Sequence, residues 1–396
     1  MFEKMEMAPP DPILGLTEAF NEDTNPNKVN LGVGVYKDGS GKTPIFRAVK
    51  KAEAIILDDE KTKSYLPISG APEYSAAVQE LLFGKDHATV AEKRAATAQT
   101  PGGTGALRVA GDFLKQKCGK QQIWVSDPTW ANHNQIFAAA GLSVASYPYY
   151  NAETKAISFE AMLSILKEIP EGDILLLHGC CHNPTGVDPH ADQWKQIARV
   201  ARERDLILLV DLAYQGFSEG LEEDVEGLRI LTDSGCDMLI ASSYSKNFGL
   251  YRDRVGALTL VASNADAAKR AMSHLKLAIR SNYSNPPAHG SAIVSTIISN
   301  PELRQEWKEE VAEIRDRINE MRRLFVEKMQ EKAPGNDFSF ITKQNGMFSF
   351  SGLNKEQVAK LKEDFAIYIV GSGRINVAGM TPGNMDYLTD AISKVL

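Results

Sequence analysis

Seven short apolar runs, separated by stretches with helical spacing, occupy the middle of this chain and constrain its fold more than any other feature. They fall at residues 96–100, 123–126, 143–147, 174–178, 206–211, 238–242 and 256–261. Most are continuous rather than alternating, the pattern of strands covered on both faces of a mostly parallel sheet. Amphipathic segments between them, such as 106–117 and 192–204, supply the covering helices. The expected architecture is therefore α/β, a large domain built on a mostly parallel seven-stranded sheet. With 396 residues, 43% of them hydrophobic, the chain can bury that sheet and a second core as well.

After Asn300 the pattern changes. A charged helix is expected from 302 to about 331, then a region of short strands in FSFITKQNGMFSFSGL, then a helix from Asn354. Asn345-Gly346 between two apolar runs predicts a hairpin. These elements predict a smaller α+β domain that the N-terminal segment joins. The expected division is an N-terminal arm over 1–12, a small domain over 13–43 and 314–396, and a large domain over 44–313. No internal repeat, low-complexity tract or Gly/Ser linker interrupts this scheme.

Composition then excludes whole classes of function. The formal net charge of −7 argues against nucleic-acid binding and against a basic membrane-surface role. The longest apolar runs, such as 174–177 and 206–210, are far too short to span a bilayer. The N-terminal MFEKMEMAPPDPILGL mixes acids and prolines and lacks a signal peptide's apolar core. It is also not Arg-rich and acid-poor, as a transit peptide is. Cys118, Cys180, Cys181 and Cys236 show no disulfide spacing, and adjacent Cys180 and Cys181 could pair only through a strained ring. Reduced thiols in a cytoplasmic small-molecule enzyme are the expectation.

Several short signatures do not survive scrutiny. Gly39-Ser40-Gly41-Lys42-Thr43 ends like a P-loop, but Tyr36 stands where that motif needs glycine; Asp38-Gly39 reads as a hairpin turn. Ser243-Tyr244-Ser245-Lys246 matches S-x-x-K without the companion elements of that enzyme class. His178 and His182 straddle a strand end rather than share a helix face, so no metal site is expected.

What survives is a set of polar residues placed where strands end, the edge at which open α/β sheets bind ligands. Pro101-Gly102-Gly103-Thr104-Gly105 lies between a strand and a helix start, and fits an anion cradle or an ordinary Gly-rich cap equally well. Asp211 closes LILLVD, as a ligand-facing carboxylate or a turn cap. Tyr214 follows three residues later. Lys246 sits beyond the strand at 238–242, where a lysine is ordinarily a solvated charge. Asn183-Pro184 and Asp127-Pro128-Thr129-Trp130 follow two further strands, and Trp130 reads as core or as a flat wall for a planar ligand. Jointly they put an anion cradle, an acid, a phenol, an amide, an indole and an amine at one edge of one sheet.

At these residues the sequence resembles the aspartate aminotransferase family, in the fold-type I group of pyridoxal-phosphate enzymes, and most closely its bacterial aspartate/aromatic subgroup. The matching stretches are NLGVGVYKD, TPGGTGALR, SDPTW, HGCCHNPTG, DLAYQGF, SSYSKNFGLYRDRVG, RSNYSNPPAHG, NGMFSFSGL and SGRINVAGM, in the family's order from Asn30 to Met380. The resemblance implies pyridoxal 5'-phosphate as cofactor and a reversible ping-pong transfer of the amino group between L-aspartate and 2-oxoglutarate. The products are oxaloacetate and L-glutamate, and the implied assembly is a homodimer with shared active sites.

By the same resemblance, Lys246 would hold the cofactor aldehyde covalently and later shuttle a proton. Asp211 would keep the pyridine nitrogen protonated, with His133 as its supporting partner. Tyr214 and Asn183 would hydrogen-bond the ring's phenolic oxygen, and Trp130 would stack on the ring. Gly103, Thr104, Ser243, Ser245 and Arg254 would bind the phosphate, with Tyr65 reaching it from a second subunit. Arg374 would clamp the substrate α-carboxylate, and Arg280 would meet the distal carboxylate from the neighbouring subunit. Gly34, Trp130 and Asn183 complete the implied substrate contacts.

One departure stands out: Ser64 precedes Tyr65 where the aspartate enzymes usually carry Asn, and Leu66-Pro67 resembles the aromatic aminotransferases. Val35, Lys37, Thr43, Thr104 and Asn285 match the aspartate-selective pattern instead. An aromatic or dual-specificity aminotransferase is thus the alternative. A β-lyase or decarboxylase would use the same lysine and aspartate, but two arginines spaced for a dicarboxylate favour transamination. A nucleotide-binding module would not require Lys246 and Asp211 together.

Overall fold

The computed structural model describes residues 2–8 and 13–396. Of the arm expected over 1–12, residue 1 and residues 9–12 lie outside the described residues, and Phe2–Lys4 form a single 3-10 turn. The chain divides into two compact units, Pro44–Asp316 and Met1–Thr43 with Arg317–Leu396.

The larger unit is built on the seven-stranded sheet. Its strands are β1 Ala95–Pro101, β2 Gln122–Asp127, β3 Ser143–Pro148, β4 Ile174–His178, β5 Ile207–Leu212, β6 Met238–Ser243 and β7 Val255–Val261. They lie in the order β1-β7-β6-β5-β4-β2-β3, and every neighbouring pair is parallel except those made by β7. Continuous burial explains the continuous apolar runs: every residue of β4, β6 and β7 is buried. Helix α1, Gly102–Gln116, packs Ala106, Leu107, Ala110 and Leu114 into the same core as Ile123, Leu176, Leu209 and Leu258. It begins four residues before the expected 106, because the glycines expected as loop carry the backbone directly from β1 into the first turn.

In the smaller unit, Val29–Asn30 pairs in parallel with Ile367–Tyr368. Strand β8, Phe348–Phe350, pairs antiparallel with β9, Arg374–Asn376. The hairpin expected at Asn345-Gly346 is therefore not formed, although Gly346 does adopt the positive φ of +75° that the turn signal foretold. Residues Ser339–Lys343 make a 3-10 helix instead. The reason is Arg322, 1% exposed, whose guanidinium donates to the carbonyls of Ile341 (3.0 Å), Gly346 (2.7 Å) and Phe348 (3.0 Å). A buried cation with that many acceptors outweighs a local turn preference.

At Asp38-Gly39 the turn forms without flanking strands. The Asp38 carboxylate accepts from the Ser40 and Lys42 backbone N–H groups, and its own N–H donates to the Lys42 carbonyl. The helix expected from 354 starts as anticipated, with Asn354 capping Lys355–Phe365. No helix among the described residues is long and apolar enough to cross a membrane.

Candidate active site

The parallel strands of the larger unit all end at one edge of the sheet, and β7, being antiparallel, begins there. Register brings specific residues together at that edge. Val255 stands opposite Pro101, and Gly256 opposite Ser243. Arg254, one residue before β7, is thereby delivered to the N-terminus of α1. Its Nη1 donates to Ser245 Oγ (3.4 Å) and to the Tyr251 carbonyl (3.0 Å), and Ser243 Oγ donates to Ser245 Oγ (3.2 Å).

Glycine is required where these groups meet α1. A Cβ at Gly102, whose φ is +75°, would stand 2.6 Å from the Arg254 guanidinium, and one at Gly103 3.1 Å from Ser243 Cβ. Both of these partners of the Arg254 guanidinium, the Ser245 hydroxyl and the Tyr251 carbonyl, are uncharged. A guanidinium, hydroxyls and the open N–H groups of a helix start make an anion cradle.

Beside the cradle stands the acid. Asp211, 7% exposed, lies near the end of β5, and its Oδ2 is 3.0 Å from His133 Nε2. His133 is fully buried on the helix α2, Asn132–Ala139, with its Nδ1 2.7 Å from Thr129 Oγ1. Trp130 meets the His133 ring edge to face at 5.3 Å. Burial acts to raise the Asp211 carboxyl, but the His133 hydrogen bond, with smaller contributions from the neighbouring His133 and His178 imidazoles and last from the Lys246 amine, outweighs it and holds the group below its ordinary range. The carboxylate is ionised at neutral pH.

Tyr214 and Lys246 follow β5 and β6 on separate loops, with Lys246 Nζ 4.7 Å from the centre of the Tyr214 ring. Asn183 is buried, 6% exposed, in the turn beyond β4. Arg280, exposed in the last turn of helix α3, Ala265–Asn282, is hydrogen-bonded to Ser284; with Tyr65, 92% exposed, it lines an open recess that also includes Tyr283 and Asn285. In the smaller unit, the Arg374 guanidinium is buried at the start of β9. It donates to the Gly32 carbonyl (2.6 Å) and lies over the Phe348 ring at 4.1 Å. A Cβ at Gly34 would strike that ring at 2.5 Å.

Residues 26–392 match the family of class I and II aminotransferases. The chain belongs to that family. It is 56% identical to the aspartate aminotransferase of Escherichia coli over 396 residues, the whole of both chains. It is 47% identical to the aromatic-amino-acid aminotransferase of Pseudomonas aeruginosa over 394 residues, covering all of this chain and 98% of that one. Among solved structures, the aromatic-amino-acid aminotransferase from Burkholderia pseudomallei covalently bound to pyridoxal phosphate superposes with a TM-score of 0.97. It is 48% identical, and the match covers 100% of this chain and 99% of that one.

This aminotransferase chain also carries site residues that its sequence did not announce. His178 stands directly opposite Asp211 in the β4–β5 ladder, and its ring centre is 5.2 Å from that of His133. Burial and the neighbouring His133 push His178 down to about 3, so it is neutral at ordinary pH. Asp224 organises the loop after Tyr214 by accepting from the backbone N–H groups of Gly216, Ser218, Glu219 and Gly220. A β4–β5 register could have pointed to His178; nothing in the sequence marks the buried Asp224 off from the surface acids around it.

Proposed function

We propose that this chain catalyses the reversible ping-pong transfer of an amino group between L-aspartate and 2-oxoglutarate, giving oxaloacetate and L-glutamate, with pyridoxal 5'-phosphate as cofactor. The observation that carries the reading is the ionised, buried Asp211 beside an uncompensated anion cradle and an amine-bearing loop, in a chain related over its full length to aspartate aminotransferases. The residues fit the group. The cradle of Gly103, Thr104, Ser243, Ser245 and Arg254 suits a phosphate dianion, and a helix N-terminus with a guanidinium is the usual chemistry for one. When bound, the cofactor supplies an electron-withdrawing ring that stabilises negative charge developing at the substrate Cα.

The chain's own groups do the rest. The Asp211 carboxylate, steadied by His133, would keep a proton on the pyridine nitrogen. Tyr214 and Asn183 would donate to the ring's phenolic oxygen, and Trp130 would supply a flat wall for the ring. Lys246 would hold the cofactor through its amine and, when not so engaged, would be the base that takes the proton from the substrate Cα. Arg374 would take the substrate α-carboxylate within the smaller unit, where Gly34 leaves room beside it, and Trp130 and Asn183 would be the substrate contacts of the larger unit. Borohydride reduction followed by peptide mapping tests the assignment. The label is expected on Lys246, and a label on any other lysine sinks it.

The active form in this reading is a cytoplasmic homodimer in which Tyr65 and Arg280 serve the site of the second copy. Its support is their exposure around an open recess within one chain, and the four free thiols suit a reducing compartment. Mixing Asp211→Ala and Arg280→Ala parents is expected to restore activity toward aspartate, because one hybrid site regains both residues. No recovery, with subunit exchange demonstrated, would put Arg280 in its own subunit's site.

A second reading, activity toward aromatic amino acids, draws on the aromatic relatives and on Ser64 with Leu66-Pro67. Rates with aspartate, tyrosine and phenylalanine decide between the two.

A further inference from the structure

Tyr214 and Lys246 stand on different loops, and the residue that follows each of them ties those loops together. Asn247, 1% exposed, donates its side-chain Nδ2 to the backbone carbonyl of Gln215 at 3.2 Å. Gln215, 4% exposed, in turn donates its Nε2 to the carbonyls of Leu81 (2.8 Å) and Leu221 (2.9 Å). On the other side, the Asn247 carbonyl accepts from the indole Nε1 of Trp307 at 2.6 Å. Trp307 is fully buried and stacks on Phe248 with ring centres 4.5 Å apart and planes 19° from parallel. One side-chain bond thus joins the two loops, and each loop is fastened separately to the scaffold.

We propose that Asn247, backed by Gln215 and Trp307, is a positioning residue that sets the Tyr214 phenol against the Lys246 amine. The proposal rests on the roles given above to Tyr214 and Lys246. Gln215, Asn247 and Trp307 carry no acid, base or nucleophile that the reaction uses. Their bonds act at the peptide next to Tyr214 and the peptide next to Lys246, where a small displacement is passed on with little attenuation. A hydrogen bond weakens steeply once its distance and angle depart from the optimum. A phenol that lowers the proton affinity of a neighbouring group therefore works only while its loop is held.

The test uses the holoenzyme and reads the pH midpoint at which the absorbance of the bound cofactor changes. Asn247→Leu keeps the side-chain volume and removes the donor. It is expected to raise the midpoint by about half to one pH unit, the scale of one hydrogen bond. It should also lower kcat roughly tenfold to a hundredfold, as misplacement by about an ångström does, while KM stays within about threefold. Introduced into Tyr214→Phe, the same change should shift neither the midpoint nor kcat further, because the group through which it acts is gone. If Asn247→Leu does not fold, Gln215→Met loosens the Tyr214 loop from its other anchor. It leaves the bond from Asn247 to the Gln215 carbonyl in place but removes the Nε2 bonds to Leu81 and Leu221, and is expected to move both readouts in the same direction.

A full shift persisting in the Tyr214→Phe background overturns the proposal, as does a lowered Tm with an unmoved midpoint, which is what mere support of the fold predicts. Should Tyr214→Phe itself leave the wild-type midpoint unchanged, the role of Tyr214 fails first. Should Tyr214→Phe move the midpoint and Asn247→Leu not, only the positioning role of Asn247 is lost.

Discussion

Asp211→Ala is expected to fold and to keep its covalently bound cofactor, yet to lose roughly two to four powers of ten in kcat. The magnitude follows from what the substitution strands. Asp211 is 7% exposed and held below the ordinary carboxylate range, so in the proposed role it would meet the cofactor's pyridine nitrogen as a full negative charge. Removing one member of a buried charge pair costs about 3–5 kcal/mol, because the remaining member is left uncompensated. A nitrogen that shed its proton to avoid that cost would leave the ring drawing in less negative charge, so a penalty of the same order would reappear in the barrier. Asp211→Glu restores a carboxylate on a longer stem and is expected to lose considerably less. Rates for the two variants, with the absorbance spectrum to verify loading, check the claim. Equal and small losses in both would reduce Asp211 to a turn cap.

The sheet was legible because burial on both faces leaves its mark directly in composition. All seven strands lie within one residue of the apolar runs, from Ala95–Pro101 to Val255–Val261. Strand order and direction left no such mark. The antiparallel β7 reads in sequence like its parallel neighbours, yet its reversal is what carries Arg254 to the edge where the cradle forms. Local signals failed where a distant residue supplied stronger bonds. Asn345-Gly346 carries a strong hairpin signature, but Arg322, more than twenty residues away, claims the carbonyls around it, and β8 pairs with β9. The same limit explains the site. Motif stretches marked Asp211, Lys246 and the cradle, and they span His178 and Asn247 as well, but the partners of these two are set by ladder register and by bonds to other loops. Such partners are a property of the folded chain and have no period or spacing to read.

Arg280→Ala is expected to lose roughly two to four powers of ten in kcat/KM toward aspartate and much less toward phenylalanine. In the single chain Arg280 is exposed, so the argument depends on the second copy closing over it. If it meets the distal carboxylate of aspartate in a mostly dry site, deleting the arginine leaves that carboxylate buried without a partner, and the about 3–5 kcal/mol of an uncompensated charge falls on aspartate alone. Phenylalanine has no distal charge to strand. Charge reversal in Arg280→Asp should extend the trend and favour amino acids with cationic side chains. Arg374→Ala makes the necessary contrast. Its guanidinium is buried among the Gly32 carbonyl and the Phe348 ring, and every amino acid carries the α-carboxylate assigned to it, so its loss should harm all substrates alike. On this reading, specificity for a dicarboxylate would reside in the difference between the two arginines, read as the ratio of kcat/KM for aspartate over phenylalanine. Parallel losses for both substrates in Arg280→Ala would leave that arginine without a role in choosing between them, and the aromatic reading would then stand on equal terms.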